Sequence, residues 1–144
     1  MSLNNHQIEL VQSSFKQVAD IPDTVAELFY GHLFETAPQV EPMFADSDMK
    51  QQGRKLMQML STAVHSLNNI GEVVPAIKQL GARHVKYGVT NDMYDIVGQS
   101  LLWTLGQGLG DAFTEEVKEA WTAVYILVAE TAIAGANEIL QPQQ

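Results

Sequence analysis

Apolar residues recur at spacings of three and four along most of the chain, which is the period of α-helices that bury one face. The first stripe is Ile8, Val11, Phe15 and Val18, preceded by Asn4 with Gln7 three positions later, a capping box that marks a helix start. Pro22 suits the first turn of a second helix, striped at Ala26, Phe29, Tyr30 and Leu33. Ala37-Pro38-Gln39-Val40-Glu41-Pro42-Met43-Phe44 is a corner with two prolines. Asp46, Ser47 and Asp48 offer caps for a third helix, striped at Gln52, Leu56, Met59, Leu60, Ala63 and Leu67 and ended by Asn68-Asn69-Ile70-Gly71. A fourth helix is expected from near Glu72 to about Tyr87, with Pro75 in its first turn and Gly88 as its stop; its stripe is Ile77, Leu80, His84. Thr90-Asn91-Asp92 caps a fifth, striped at Tyr94, Val97, Leu101 and Leu105 and expected to break up at Gly106, Gly108 and Gly110. Thr114 caps the last, with Glu115 and Glu116 favourable in its first turn and a stripe at Val117, Ala120, Trp121, Val124, Val128 and Thr131. The tail Gln141-Pro142-Gln143-Gln144 should fray.

No strand-like alternation, repeat or linker interrupts this pattern. One all-α domain spanning residues 1–144 is therefore expected. Helices of unequal length joined at proline corners fit a crossed-helix arrangement better than a regular four-helix bundle.

The 144 residues suffice for a real core without staples. With no cysteine there is no disulfide, no thiolate metal site and no covalent haem attachment. No signal-like segment and no apolar run of about 18 residues is seen, so a cytoplasmic protein with no membrane partner is expected. The net charge of −9 argues against nucleic acid, because phosphate repels an acidic surface. The charge is unevenly spread. Residues 50–86 hold six of the eight basic side chains (Lys50, Arg54, Lys55, Lys78, Arg83, Lys86) and one acid, Glu72, for a local charge of +5. Either these are solvated helix faces, or they form a basic rim for an anionic ligand or an acidic partner.

Four stripe members are polar: Tyr30, Gln52, His84 and Tyr94. Burying such a group without a partner costs about 1–3 kcal/mol. A lone histidine on an apolar stripe is commonly bonded to a backbone carbonyl, and tyrosines there commonly pack with their hydroxyls at the surface. Gln52 lies in the first turn of its helix, where a capping role is open. The alternative is one shared internal site, with an imidazole and an amide reaching a cofactor from two helices. Among the other histidines, His6 is terminal, His32 is placed on an outer face, and His65 adjoins its stripe without joining it. No zinc-hydrolase or serine-hydrolase motif is present, and Gly106-Gln107-Gly108-Leu109-Gly110 has no strand before it and is not a phosphate loop.

The chain resembles single-domain bacterial globins and the haem domain of flavohaemoglobins. The resemblance is carried by Phe29-Tyr30-Gly31-His32-Leu33-Phe34, Pro38-Gln39-Val40-Glu41-Pro42-Met43-Phe44, Gln52-Gly53-Arg54-Lys55-Leu56-Met57, Arg83-His84-Val85-Lys86-Tyr87-Gly88-Val89, Tyr94-Asp95-Ile96-Val97-Gly98 and Ala120-Trp121-Thr122-Ala123-Val124-Tyr125, and runs from about Ile8 to Gly135. It implies a globin fold around a non-covalent haem b, with His84 as proximal iron ligand. Phe44 would wedge against the porphyrin, and Tyr94 would stand near the histidine. Tyr30 and Gln52 would lie on the distal side, where Leu56 presses on the same pocket, and Lys55 would pair with a propionate. Gln is a poor iron ligand, so a five-coordinate or water-ligated iron is implied. His84 must then be neutral, with its other nitrogen donating to a carbonyl a turn earlier, near Leu80.

The implied function is reversible binding of dioxygen and other small ligands such as CO, NO or sulfide, by a monomer or weak homodimer. The flavohaemoglobin pattern has a glutamate on the last helix that joins the proximal histidine and tyrosine; here that position is Ala136, which argues against peroxidase-like chemistry. Nitric oxide dioxygenation is the enzymatic alternative. With no flavin or nicotinamide domain before Gln144 it would need an external reductase. A haem-free globin-like signalling domain is a third reading.

Overall fold

The computed structural model describes residues 3–45, 48–86 and 91–140. Within them lie six α-helices: α1 (Asn5–Ala19), α2 (Pro22–Thr36), α3 (Met49–His65), α4 (Ile70–Lys86), α5 (Asn91–Leu109) and α6 (Glu115–Leu140). Short 3₁₀ segments follow α2 (Pro38–Phe44), α3 (Leu67–Asn69) and α5 (Gly110–Ala112), and there is no strand among the described residues. The crossed all-α architecture is as the periodicity predicts.

The local signals act as expected at helix starts. Asn4 Oδ1 accepts from the Gln7 amide at 2.8 Å, and Gln7 Oε1 accepts from the Asn4 amide at 3.2 Å. Replacing Asn4 by alanine should cost about 1 kcal/mol and lower Tm by roughly 2–4 °C, read by thermal denaturation. Asp48 caps α3 through the Lys50 and Gln51 amides, and Thr114 Oγ1 caps α6 through the Val117 amide at 3.2 Å. The expected caps Asp46, Ser47 and Thr90, the stop at Gly88, the end at Tyr87 and the tail lie outside the described residues.

The core is built on the stripes of α1, α2, α5 and α6. Val11, Val18, Val25, Leu105, Ala120 and Trp121 are all but fully buried. Trp121 brings a polar edge inside, and its indole Nε1–H donates to Ser14 Oγ at 2.9 Å. That hydroxyl in turn donates to the Leu10 carbonyl at 2.7 Å, so neither group is stranded.

Several elements differ from the sequence expectation. α5 runs unbroken through Gly106 and Gly108 and ends only at Gly110, which has φ +55°. Gly108 is a packing residue: a Cβ there would stand 3.1 Å from Val18 of α1. The third helix ends at His65, and Leu67 is buried in the 3₁₀ turn beyond it. α4 begins two residues early, at Ile70, which puts Pro75 inside the helix. The buried line of α3 is Gly53, Met57 and Val64; Met59 is exposed. Its apolar arc is wide, and the edge that meets α2 sinks deepest because Gly53 lets Ala26 approach: a Cβ at 53 would stand 2.8 Å from that of Ala26.

Candidate functional site

The residues singled out on α2 and α3 form one group. Tyr30 is half-buried on α2, and its ring packs on Phe29 of the same helix (centroids 5.0 Å apart) and on Phe44 of the proline corner (5.6 Å). Phe34, one turn after Tyr30, closes the triangle, with its centroid 5.9 Å from Tyr30 and 5.4 Å from Phe44. Sequence reasoning assigned Phe34 no role; its spacing of four from Tyr30 was the available signal. The proline corner is therefore what brings Phe44 back over α2. Burial raises the Tyr30 phenol to about 12, and the Gln52 amide of α3, near enough to favour the ionised form, offsets part of that rise. At neutral pH Tyr30 thus keeps its proton and is a hydrogen-bond donor beside a second donor, the Gln52 amide. Leu56 is half-buried one turn beyond Gln52, while Lys55 is exposed.

His84 lies near the end of α4, half-buried. Its Nδ1 stands 2.6 Å from the Leu80 carbonyl. A carbonyl only accepts, so Nδ1 carries the hydrogen and the neutral ring's lone pair is on Nε2, the atom that can ligate. The carbonyl bond expected near Leu80 is thus present. Tyr94 opens the stripe of α5. Its ring is half-exposed, but its hydroxyl oxygen is out of solvent and has no partner among the described residues. Burial raises its phenol as well. Tyr125 of α6 donates to the Tyr94 backbone carbonyl at 2.6 Å and so ties the base of α5 to α6. Ala136 is buried on α6 and offers no carboxylate to that hydroxyl. His84 and Tyr94 lie on helices other than those of the Tyr30 group, and no described contact joins them to it.

Three features suit these residues to a flat apolar cofactor with an anionic edge. Along α3, α4 and α5 the stripes pass from buried to half-buried toward the candidate residues. Gln52, Leu56 and Leu60 are half-buried beside buried Gly53 and Met57; Leu80 follows buried Ile77; Val97 precedes buried Leu101. The orphaned Tyr94 hydroxyl is a buried donor of the kind a bound group would satisfy. Lys50, Arg54, Lys55 and Arg83 are exposed, as cations meeting an anionic rim would be.

The remaining histidines are engaged elsewhere. His32 is not on an outer face: it is half-buried, stacked on Trp103 at 4.4 Å, with Nδ1 2.9 Å from buried Ser100 Oγ. The sequence could not show this because Trp103 comes from α5. His65 Nδ1–H donates to the Ser61 carbonyl at 2.7 Å, and exposed His6 pairs with Glu116. Among the described residues no three His, Asp or Glu side chains gather as a metal site. No described helix is long and apolar enough to cross a membrane.

The globin family matches residues 27–132. A flavohemoprotein of Bacillus subtilis is 28% identical over 133 residues, covering 91% of this chain and 33% of that protein. One of Xylella fastidiosa is 32% identical over 130 residues, covering 89% of this chain and 32% of that protein. The chain thus spans about a third of the length of the curated relatives it matches. A bacterial globin of Campylobacter jejuni superposes with a TM-score of 0.85 at 22% identity, over 96% of this chain and 99% of that one.

Proposed function

Because this chain belongs to the globin family, we propose that it holds a non-covalent haem b through His84 and reversibly binds dioxygen and other small ligands beside Tyr30 and Gln52. Haem, when bound, supplies an iron with one coordination position for the protein and one for a ligand. The observation that carries the reading is the tautomer of His84: the Leu80 carbonyl fixes the hydrogen on Nδ1 and makes Nε2 the donor. The carbonyl also holds the ring against rotation.

On the other side Tyr30 and Gln52 present an O–H and an N–H in surroundings walled by Phe29, Phe34 and Phe44. Donors in a dry pocket favour a ligand that gathers negative charge, as dioxygen does, over one that stays neutral. Lys55 and its basic neighbours are the candidates to meet propionates at the exposed edge. The ligand reading is tested by oxygen equilibrium and release measured on the haem-loaded protein.

Tyr30 fixes a pH response. Its phenol is held near 12, above the free value of 10.0. The neutral form is favoured in the fold, so this contribution to stability is complete below about pH 10 and is lost as the pH climbs toward 12. Oxygen release from the folded protein should therefore keep a constant contribution from Tyr30 through pH 10 and quicken only as the pH nears 12, as followed by stopped-flow across that range.

The enzymatic reading, nitric oxide dioxygenation with a separate reductase, is favoured by the relatives being flavohemoproteins of which this chain spans about a third. Supplying nitric oxide under air, with and without candidate reductases, separates the two. Sustained nitrate formation supports the enzyme; a single stoichiometric reaction supports the binding role. Against peroxidase-like activity stands Tyr94, whose hydroxyl meets no carboxylate among the described residues.

A further inference from the structure

α4 packs on α6 more extensively than any other two helices of the chain pack on each other. The reason is reciprocal: a methyl on Gly81 of α4 would land on the backbone carbonyl of Ala132 in α6, and one on Gly135 of α6 would land on the backbone carbonyl of Lys78 in α4. Gly81 and Ala132 are both buried, as is Ala136 one position beyond Gly135. Helices with ordinary side chains between them stand about 8–10 Å apart; here backbone meets backbone, and neither helix can move toward the other.

We propose that Gly81 and Gly135 are positioning residues for the iron ligand, seating α4 on α6 and so fixing where the imidazole of His84 stands. The inference rests on the haem-binding reading. The link is short. His84 follows Gly81 by three residues, less than one turn of continuous helix. Its ring is tied to the carbonyl of Leu80, the residue beside Gly81. From the Ala132 carbonyl to His84 Nδ1 there is thus no flexible joint, and a displacement at the crossing passes directly to the ring. Pro75 does not loosen this stretch, since it lies more than a turn and a half before Gly81. An added methyl must move backbone, not the end of a side chain, so it cannot be absorbed locally.

The test uses full-length haem-loaded protein in four forms: wild type, Gly81→Ala, Gly135→Ala and Gly71→Ala. Gly71 is the control on the same helix, because a Cβ there meets nothing within 4 Å. The iron–imidazole stretching band of the reduced, ligand-free protein is read by resonance Raman, and haem loss is read by transfer to an excess of scavenging apoprotein. Both crossing variants should shift the band and shed haem about tenfold faster, with Gly71→Ala matching wild type. Crossing variants that keep their helical circular dichroism, the wild-type band and the wild-type loss rate overturn the proposal, as does a change in melting temperature with the band unmoved. Should both variants fail to fold, hydrogen exchange on haem-loaded wild type decides. Amides of residues 78–84 exchanging as slowly as those of 132–136 support the seat, and fast exchange in 78–84 alone overturns it. Wild type that takes up no haem would instead refute the reading beneath it.

Discussion

Replacing His84 with glycine should leave a folded protein that no longer retains haem. Loss of a hydrogen-bonding partner to a metal ligand alone weakens metal binding by roughly 10–100-fold, so loss of the ligand itself should weaken haem retention by about a hundredfold or more. The fold should survive, because His84 is half-buried near the end of α4 and lies outside the packed core. The seat of α4 on α6 is made by Gly81 and Gly135, not by His84. Millimolar imidazole should restore the Soret band in the variant, since the free ring supplies the same lone pair. A variant that binds hemin as tightly as wild type, with the same reduced spectrum, would remove His84 from the iron.

The second large effect is expected on oxygen release. Tyr30→Phe keeps the aromatic packing on Phe29 and Phe44 and removes only the donor; Gln52→Leu removes the second donor at similar volume. Each hydrogen bond to a charge-gathering ligand contributes about 1–3 kcal/mol, so each change should speed oxygen release by roughly 5–150-fold. Carbon monoxide, which gathers less charge, should respond much less. The double variant should fall short of the product of the singles, because the two side chains interact and each has partly oriented the other. Flash photolysis of both ligands reads the contrast. Equal effects on the two gases would mean the pair acts through pocket size rather than through its protons.

Much of the fold was legible in the chain because its helices announce themselves locally. The capping box at Asn4 and Gln7, the stripe from Ile8 to Val18, Pro22 at a first turn and Thr114 before an acidic turn each act within a few residues. What escaped depends on partners far along the chain. Gly106 and Gly108 read as helix breakers, yet they remain helical because tertiary packing outweighs propensity, and Gly108 lies close against Val18. His32 was placed on the outside because its stacking partner Trp103 belongs to another helix. Met57, not Met59, is buried because Gly53 lets Ala26 of α2 come close, so the edge of α3 that carries Gly53 and Met57 sinks deepest.

The candidate site divides the same way. That His84 would be bonded to the carbonyl a turn before it was a local inference, and Leu80 fills that place. The pairing of Tyr30 with Gln52 joins two helices across a proline corner, and periodicity alone left both open to ordinary packing or capping roles. The stripes offered a shared site only as an alternative, and it was the resemblance that set the two side by side on the distal side. Phe34 and the glycine crossing had no sequence signal strong enough to single them out, since a phenylalanine on a helix and a glycine within one carry many meanings until a neighbour is known.

The most direct examination is an absorption titration of the purified, haem-free chain with hemin, followed by reduction and addition of carbon monoxide. Saturation is expected at one hemin per chain with a sharp Soret band, a five-coordinate high-spin spectrum on reduction, and a shift to a histidine-type carbonyl spectrum under carbon monoxide. A titration that gives only the broad band of unbound hemin would contradict it, as would a reduced form whose carbonyl spectrum is unchanged when His84 is replaced.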